Sequence, residues 1–108
     1  VIQNSLISEG CNIEGHIDFS VLFAGVTIEP GAVVRDSIIM PNTTIKKGAV
    51  VEYAIVGEDC VIGENVKVGE RPESIEDKDT WGVAVIGHGV TVSDNAEIKP
   101  KAMISADV

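Results

Sequence analysis

Aliphatic residues recur along this chain at intervals of five and six, and the polar residues between them keep the same beat. A five-residue phrase marks each cycle: Ile2-Gln3-Asn4-Ser5-Leu6, Ile17-Asp18-Phe19-Ser20-Val21, Val34-Arg35-Asp36-Ser37-Ile38 and Val51-Glu52-Tyr53-Ala54-Ile55. Successive copies start 15, 17 and 17 residues apart. Each is aliphatic at both ends and carries Ser or Ala before its last residue. A helical repeat needs roughly 30 residues or more, so this period predicts a coil of short strands.

Pairs of six-residue units fill the space between phrases. Leu22-Phe23-Ala24-Gly25-Val26-Thr27 is followed by Ile28-Glu29-Pro30-Gly31-Ala32-Val33, and the same layout returns from Ile39 to Val50 and from Val56 to Lys67. Every unit begins with an aliphatic residue and has a small or compact fifth residue: Val26, Ala32, Thr43, Ala49, Cys60 and Val66. Gly, Pro, Asn and Asp occupy the middle, where the chain must bend. The pattern predicts an all-β triangular prism, with first residues pointing inward and fifth residues packed near the corners. Three aliphatic ladders follow: Leu22, Ile39 and Val56; Ile28, Ile45 and Ile62; Val34, Val51 and Val68. Coils would stack as parallel strands about 4.8 Å apart, with the other two faces of each turn supplying the crossover. The phrase reads as a third, shortened face, which accounts for 17 residues per turn.

The first coil is shorter, because Ile13-Glu14-Gly15-His16 lacks two residues of a full unit. After Val68 the pattern stops. The polar, acidic stretch 69–80 is expected to protrude as a loop, and the coil resumes at Trp81. Units starting at Ile86, Val92 and Ile98 complete a solenoid of about five turns.

Composition narrows the picture further. Hydrophobic content is 44% but aromatic content only 4%, so the core is built from Val, Ile, Leu and Ala. A net charge of −9 argues against non-specific nucleic-acid binding and against an anionic membrane surface. No apolar run approaches the roughly 20 residues of a membrane span. Cys11 and Cys60 are too few for a disulfide framework. The sequence shows no secretory signal, and a reducing, cytoplasmic setting is expected. The chain starts at Val1 without an initiator Met, as a piece cut from a longer protein would.

The units resemble the hexapeptide pattern of left-handed parallel β-helices, and the resemblance supplies the handedness. The stretches 4–11, 20–23 and 31–41, together with Trp81 to Gly87 and Ile98-Lys99-Pro100, are similar to the C-terminal domain of bacterial glucose-1-phosphate adenylyltransferase. That family makes ADP-glucose and pyrophosphate from ATP and glucose 1-phosphate for glycogen or starch synthesis. The resemblance implies that residues 1–108 are one β-helix domain whose N-terminal nucleotidyltransferase partner is absent. The catalytic residues, and Mg2+ with ATP, would belong to that partner. No Gly-rich segment here opens a helix after a strand, so the chain itself is expected to have no catalytic, cofactor-binding or metal-binding residues. Its implied roles are to pack on the catalytic domain, to join subunits into a homotetramer and to help bind an allosteric effector. A non-catalytic paralogous subunit and a related uridylyl- or mannose-1-phosphate transferase share this outline.

Arg35 is the candidate effector-binding residue. The resemblance places a basic residue before Asp-Ser, and a guanidinium offers two parallel donors to a phosphate. A solvated strand arginine is the simpler alternative. Photosynthetic-type relatives carry a lysine where this chain has Gly87, a departure that bears on whether the effector site is shared. Lys46 and Lys47 read as solubilising turn residues. His16 and His88 raise the rival class, hexapeptide acyltransferases, which use a histidine as general base. Neither has an acidic partner in sequence, and the acidic loop would repel an acyl-CoA phosphate. Cys11 and Cys60 read as small core residues. Asn42-Thr43-Thr44 matches a glycosylation signal but falls on a turn of a cytoplasmic-type chain. Trp81 either caps the prism or anchors an interface. An uncovered end of the solenoid, or a flat face, is expected to self-associate.

Overall fold

A computed structural model describes residues 2–72 and 82–108. The described chain folds into short parallel strands wound around an aliphatic core, with no helix longer than a single turn. In chain order the strands are β1 (Ile2–Gln3), β2 (Leu6–Ile7), β3 (Asn12–Ile13), β4 (His16–Asp18), β5 (Val21–Leu22) and β6 (Thr27–Ile28). They continue with β7 (Val33–Arg35), β8 (Ile38–Ile39), β9 (Thr44–Ile45), β10 (Val50–Glu52), β11 (Ala54–Val56) and β12 (Val61–Ile62). The last are β13 (Lys67–Val68), β14 (Ala84–Ile86), β15 (Thr91–Val92), β16 (Glu97–Ile98) and β17 (Met103–Ile104).

Every third strand joins the same sheet. The first sheet runs β1-β4-β7-β10-β13-β16, the second β2-β5-β8-β11-β14-β17 and the third β3-β6-β9-β12-β15. This is a three-sided parallel solenoid of the left-handed β-helix type. With six strands on two faces and five on the third, it is nearer six turns than five, because Ile2–Leu6 and Ile98–Met103 each add strands to the full coils. All three predicted ladders are in register: Leu22, Ile39 and Val56; Ile28, Ile45 and Ile62; Val34, Val51 and Val68. All nine are fully buried. The fifth residues Val26, Ala32, Thr43, Ala49, Cys60 and Val66 are buried as well, so the unit rule places both layers of the core.

The turn chemistry is equally regular. The fourth residue of each unit has a positive φ, from Gly25 (73°) and Asn42 (62°) to Asp59 (58°) and Lys101 (70°). Gly, Asn and Asp tolerate that region best, which explains their place in the repeat. The five-residue phrase has its bend at the third residue, with φ near 48° at Asn4, Phe19, Asp36 and Tyr53. Its shortening therefore lies in a corner turned by a single residue, while the strand before it keeps full length.

In the first coil the two missing residues come out of another corner. Gly15 is buried there, and a Cβ on it would lie 2.4 Å from the Ala32 carbonyl oxygen of the next coil. The expected loop 69–80 is described only as far as Pro72, and residues 73–80 and Trp81 lie outside the described residues. The chain leaves β13 at Gly69 and rejoins the solenoid at β14, where Ala84 pairs with Ala54.

Candidate functional site

The outer surface of the first sheet gathers the charges that can act on a ligand. Strands β4, β7 and β10 put Asp18, Arg35 and Glu52 in one register row. The Arg35 guanidinium donates to Glu52 Oε1 at 3.2 Å, and Arg71 Nε lies 3.7 Å from Glu52 Oε2. Glu52 is therefore held between two guanidiniums, with its side chain 12% exposed against 33% for Arg35 and 50% for Arg71. Lys67 lies on the same sheet and is 3.6 Å from Glu70. Two of the chain's eight basic residues, Arg35 and Arg71, thus converge on one carboxylate of an otherwise acidic protein. Asp18 Oδ1 is buried and has no hydrogen-bond partner among the described residues. Chemically, the cluster is a carboxylate, Glu52, paired with two guanidiniums.

Arg35 was singled out by sequence, whereas Glu52 and Arg71 were not. Glu52 follows Arg35 by 17 residues, one full coil, so the pairing is readable once the period is applied. Arg71 lies beyond the point where the repeat stops and has no such signal. Lys46 and Lys47 are on a different corner, half-buried and exposed respectively.

The two histidines are not brought together. His16 is on β4, facing out beside Val33, while His88 is exposed at a corner of the fifth coil. His88 borders an apolar groove of about 470 Å³ whose walls include Phe23, Met40, Ile55, Val85 and Glu58. Among the described residues neither histidine is in an ion pair.

The cysteines have a structural task that their small size does not reveal. Cys11 Sγ donates to the Phe23 carbonyl at 3.1 Å, Thr43 Oγ1 to the Gly57 carbonyl at 2.6 Å, and Cys60 Sγ to the Gly87 carbonyl at 3.0 Å. In each case a fifth-position donor reaches the second residue of the next coil's unit. Burial pushes the Cys60 thiol upward, against the opposing effect of the Val90 and Gly89 backbone hydrogen bonds. No group of three or more His, Cys, Asp or Glu side chains suited to a metal ion occurs among the described residues, and no helix is long and apolar enough to cross a membrane.

A three-sided coil with an aliphatic residue at the head of every six defines a hexapeptide-repeat solenoid. Residues 1–93 match the family described as GlmU-like, C-terminal hexapeptide, and the chain belongs to that family. It is also similar to curated glucose-1-phosphate adenylyltransferases. Those of Bacillus thuringiensis (strain Al Hakam) and Bacillus anthracis are each 58% identical over 40 residues, which is 37% of this chain and 11% of the relative. The match thus spans about a tenth of those enzymes. Among solved structures, the acetyltransferase domain of PglB from Neisseria gonorrhoeae FA1090 aligns with 97% of this chain and 48% of its own, at 17% identity and a TM-score of 0.41. The same domain in complex with acetyl coenzyme A aligns with 88% of this chain and 51% of its own, at the same identity and score.

Proposed function

We propose that this chain is the regulatory and oligomerisation domain of a glucose-1-phosphate adenylyltransferase, working in the cytoplasm in glycogen biosynthesis. The observation that carries the reading is the 58% identity over 40 residues, well above what a shared hexapeptide beat requires. Adenylyl transfer from ATP to glucose 1-phosphate, with Mg2+, belongs to an N-terminal catalytic domain. This chain contributes a rigid post against which that domain packs, a surface for subunit assembly, and the Arg35 cluster as a receptor for an anionic effector. The effector would take the place of Glu52 between Arg35 and Arg71.

Two neighbouring readings have their own support. A non-catalytic paralogous subunit would show the same helix and the same cluster. A hexapeptide acyltransferase is favoured by His88 at the rim of an apolar groove beside Glu58. Expression of the complete reading frame separates them. The proposal expects ADP-glucose and pyrophosphate from ATP and glucose 1-phosphate, and no acetyl transfer from acetyl coenzyme A. Acetyl transfer abolished by His88→Ala would overturn it. Assembly with an active adenylyltransferase subunit, without turnover by this protein alone, would select the paralogue.

A further inference from the structure

The second sheet differs from the other two in what it shows to solvent. Its outward row, one residue per coil in register, is Leu6, Val21, Ile38, Ile55, Val85 and Met103. The equivalent row of the third sheet is Asn12, Thr27, Thr44, Val61 and Thr91, and the first sheet carries the charged cluster. Leu6 is 72% and Met103 80% exposed. Phe19, Phe23 and Val83 extend the apolar surface along both edges. Phe19 is held at φ 47°, a conformation that bulky residues rarely adopt, with 59% of its surface in solvent. A contiguous apolar patch of this kind marks an interaction surface.

We infer that this face pairs with the same face of a second copy, with the two solenoids antiparallel. The patch is complementary to itself. A twofold axis lying in the interface, parallel to the strands and passing between β8 and β11, sets Ile38 against Ile55, Val21 against Val85 and Leu6 against Met103. On one edge Phe19 meets Val83. On the other, Phe23 meets the partner's groove, where Gly57 and Gly87 present no side chain. The bulk of the early coils thus fills the hollow of the late ones. The row itself is uncharged, so it offers a basic partner no ion pair, and Glu58 at the rim falls opposite Met40 and Pro41 of the other chain. Six strands about 4.8 Å apart, each side about six residues long, give on the order of 500 Å² in projection. A standard interface takes about 800 Å² from each partner, so this dimer falls in the small, reversible class of interfaces. Two chains at −9 also repel, so added salt tightens it.

The inference specifies the assembly role proposed above, but sedimentation reads it without any activity, so its failure leaves the adenylyltransferase assignment standing. Sedimentation equilibrium across the micromolar range should show monomer and dimer, with more dimer at high salt. Ile55→Glu should raise the dissociation constant at least about tenfold, while Thr44→Glu on the third sheet leaves it unchanged. The double variant Leu6→Cys, Met103→Cys should oxidise to a disulfide-linked dimer, and circular dichroism confirms that each variant is folded. A monomer at every concentration, or a dimer insensitive to Ile55→Glu, overturns the inference. A Leu6→Cys single variant that links to itself overturns the antiparallel register.

Discussion

Ser37 does two things at one corner. Its hydroxyl donates to the Arg35 carbonyl at 2.7 Å and accepts from the Ala54 amide at 3.2 Å. Ser20 does the same one coil earlier, and Ser5 before it, so the hydroxyls form a ladder that ties corner to corner. Ala54 ends the ladder, and the next coil's Ala84 amide turns to the Tyr53 carbonyl instead. Replacing Ser37 by Ala strands a buried amide, so Ser37→Ala should lower the unfolding free energy in urea by about 1–3 kcal/mol. From sequence, Ser and Ala at this position looked alike, as small residues. Size was legible there, but the hydrogen bond was not, because the acceptor of the Ser37 hydroxyl is a backbone carbonyl that every residue has. Cys60 offers a second test at this scale. Its thiol is raised above the ordinary 9.0 by burial. The unfolded chain therefore loses this proton first as pH rises. The stabilisation is complete below pH 9 and fades as pH climbs from there through the folded value. Denaturation midpoints should fall more steeply above pH 9 for the native protein than for Cys60→Ala.

At the scale of the element, the strands are short and the corners decide the register. Two-residue strands such as β8 and β9 could slip if only their side chains held them. The positive-φ residue of each unit fixes where the chain bends, and the inward aliphatic follows three residues later. This is why all three ladders were readable: periodicity and turn chemistry point to the same residues. The corner at Gly15 was visible only as a gap in the count. Sequence showed two residues missing, and the structure shows that the chain cuts the corner so closely that no side chain fits. Gly15→Ala should then cost about 1–3 kcal/mol, seen as a lower thermal midpoint, with the first coil losing amide protection before the rest. Equal protection loss in every coil would mean that the cost is not local.

At the scale of the whole molecule, the solenoid is a rigid post with three unlike faces. One is charged, one is apolar and one is lined by Thr and Asn. Chemistry was legible only in part. Arg35 stood out by its phrase, and its partner Glu52 is one period away, but Arg71 joins the cluster from beyond the end of the repeat, where counting fails. The central claim is that this post regulates a reaction carried out elsewhere in the protein. The most direct test is the saturation curve for phosphate effectors, with inorganic phosphate and sugar phosphates as anionic probes, on the complete enzyme and its Arg35→Ala variant. Losing one bidentate charged contact is worth about 1.5–3 kcal/mol, so the half-saturating concentration should rise about tenfold or more while the maximal rate stays near normal. Superimposable curves, or a rate that no phosphate alters, would contradict the account.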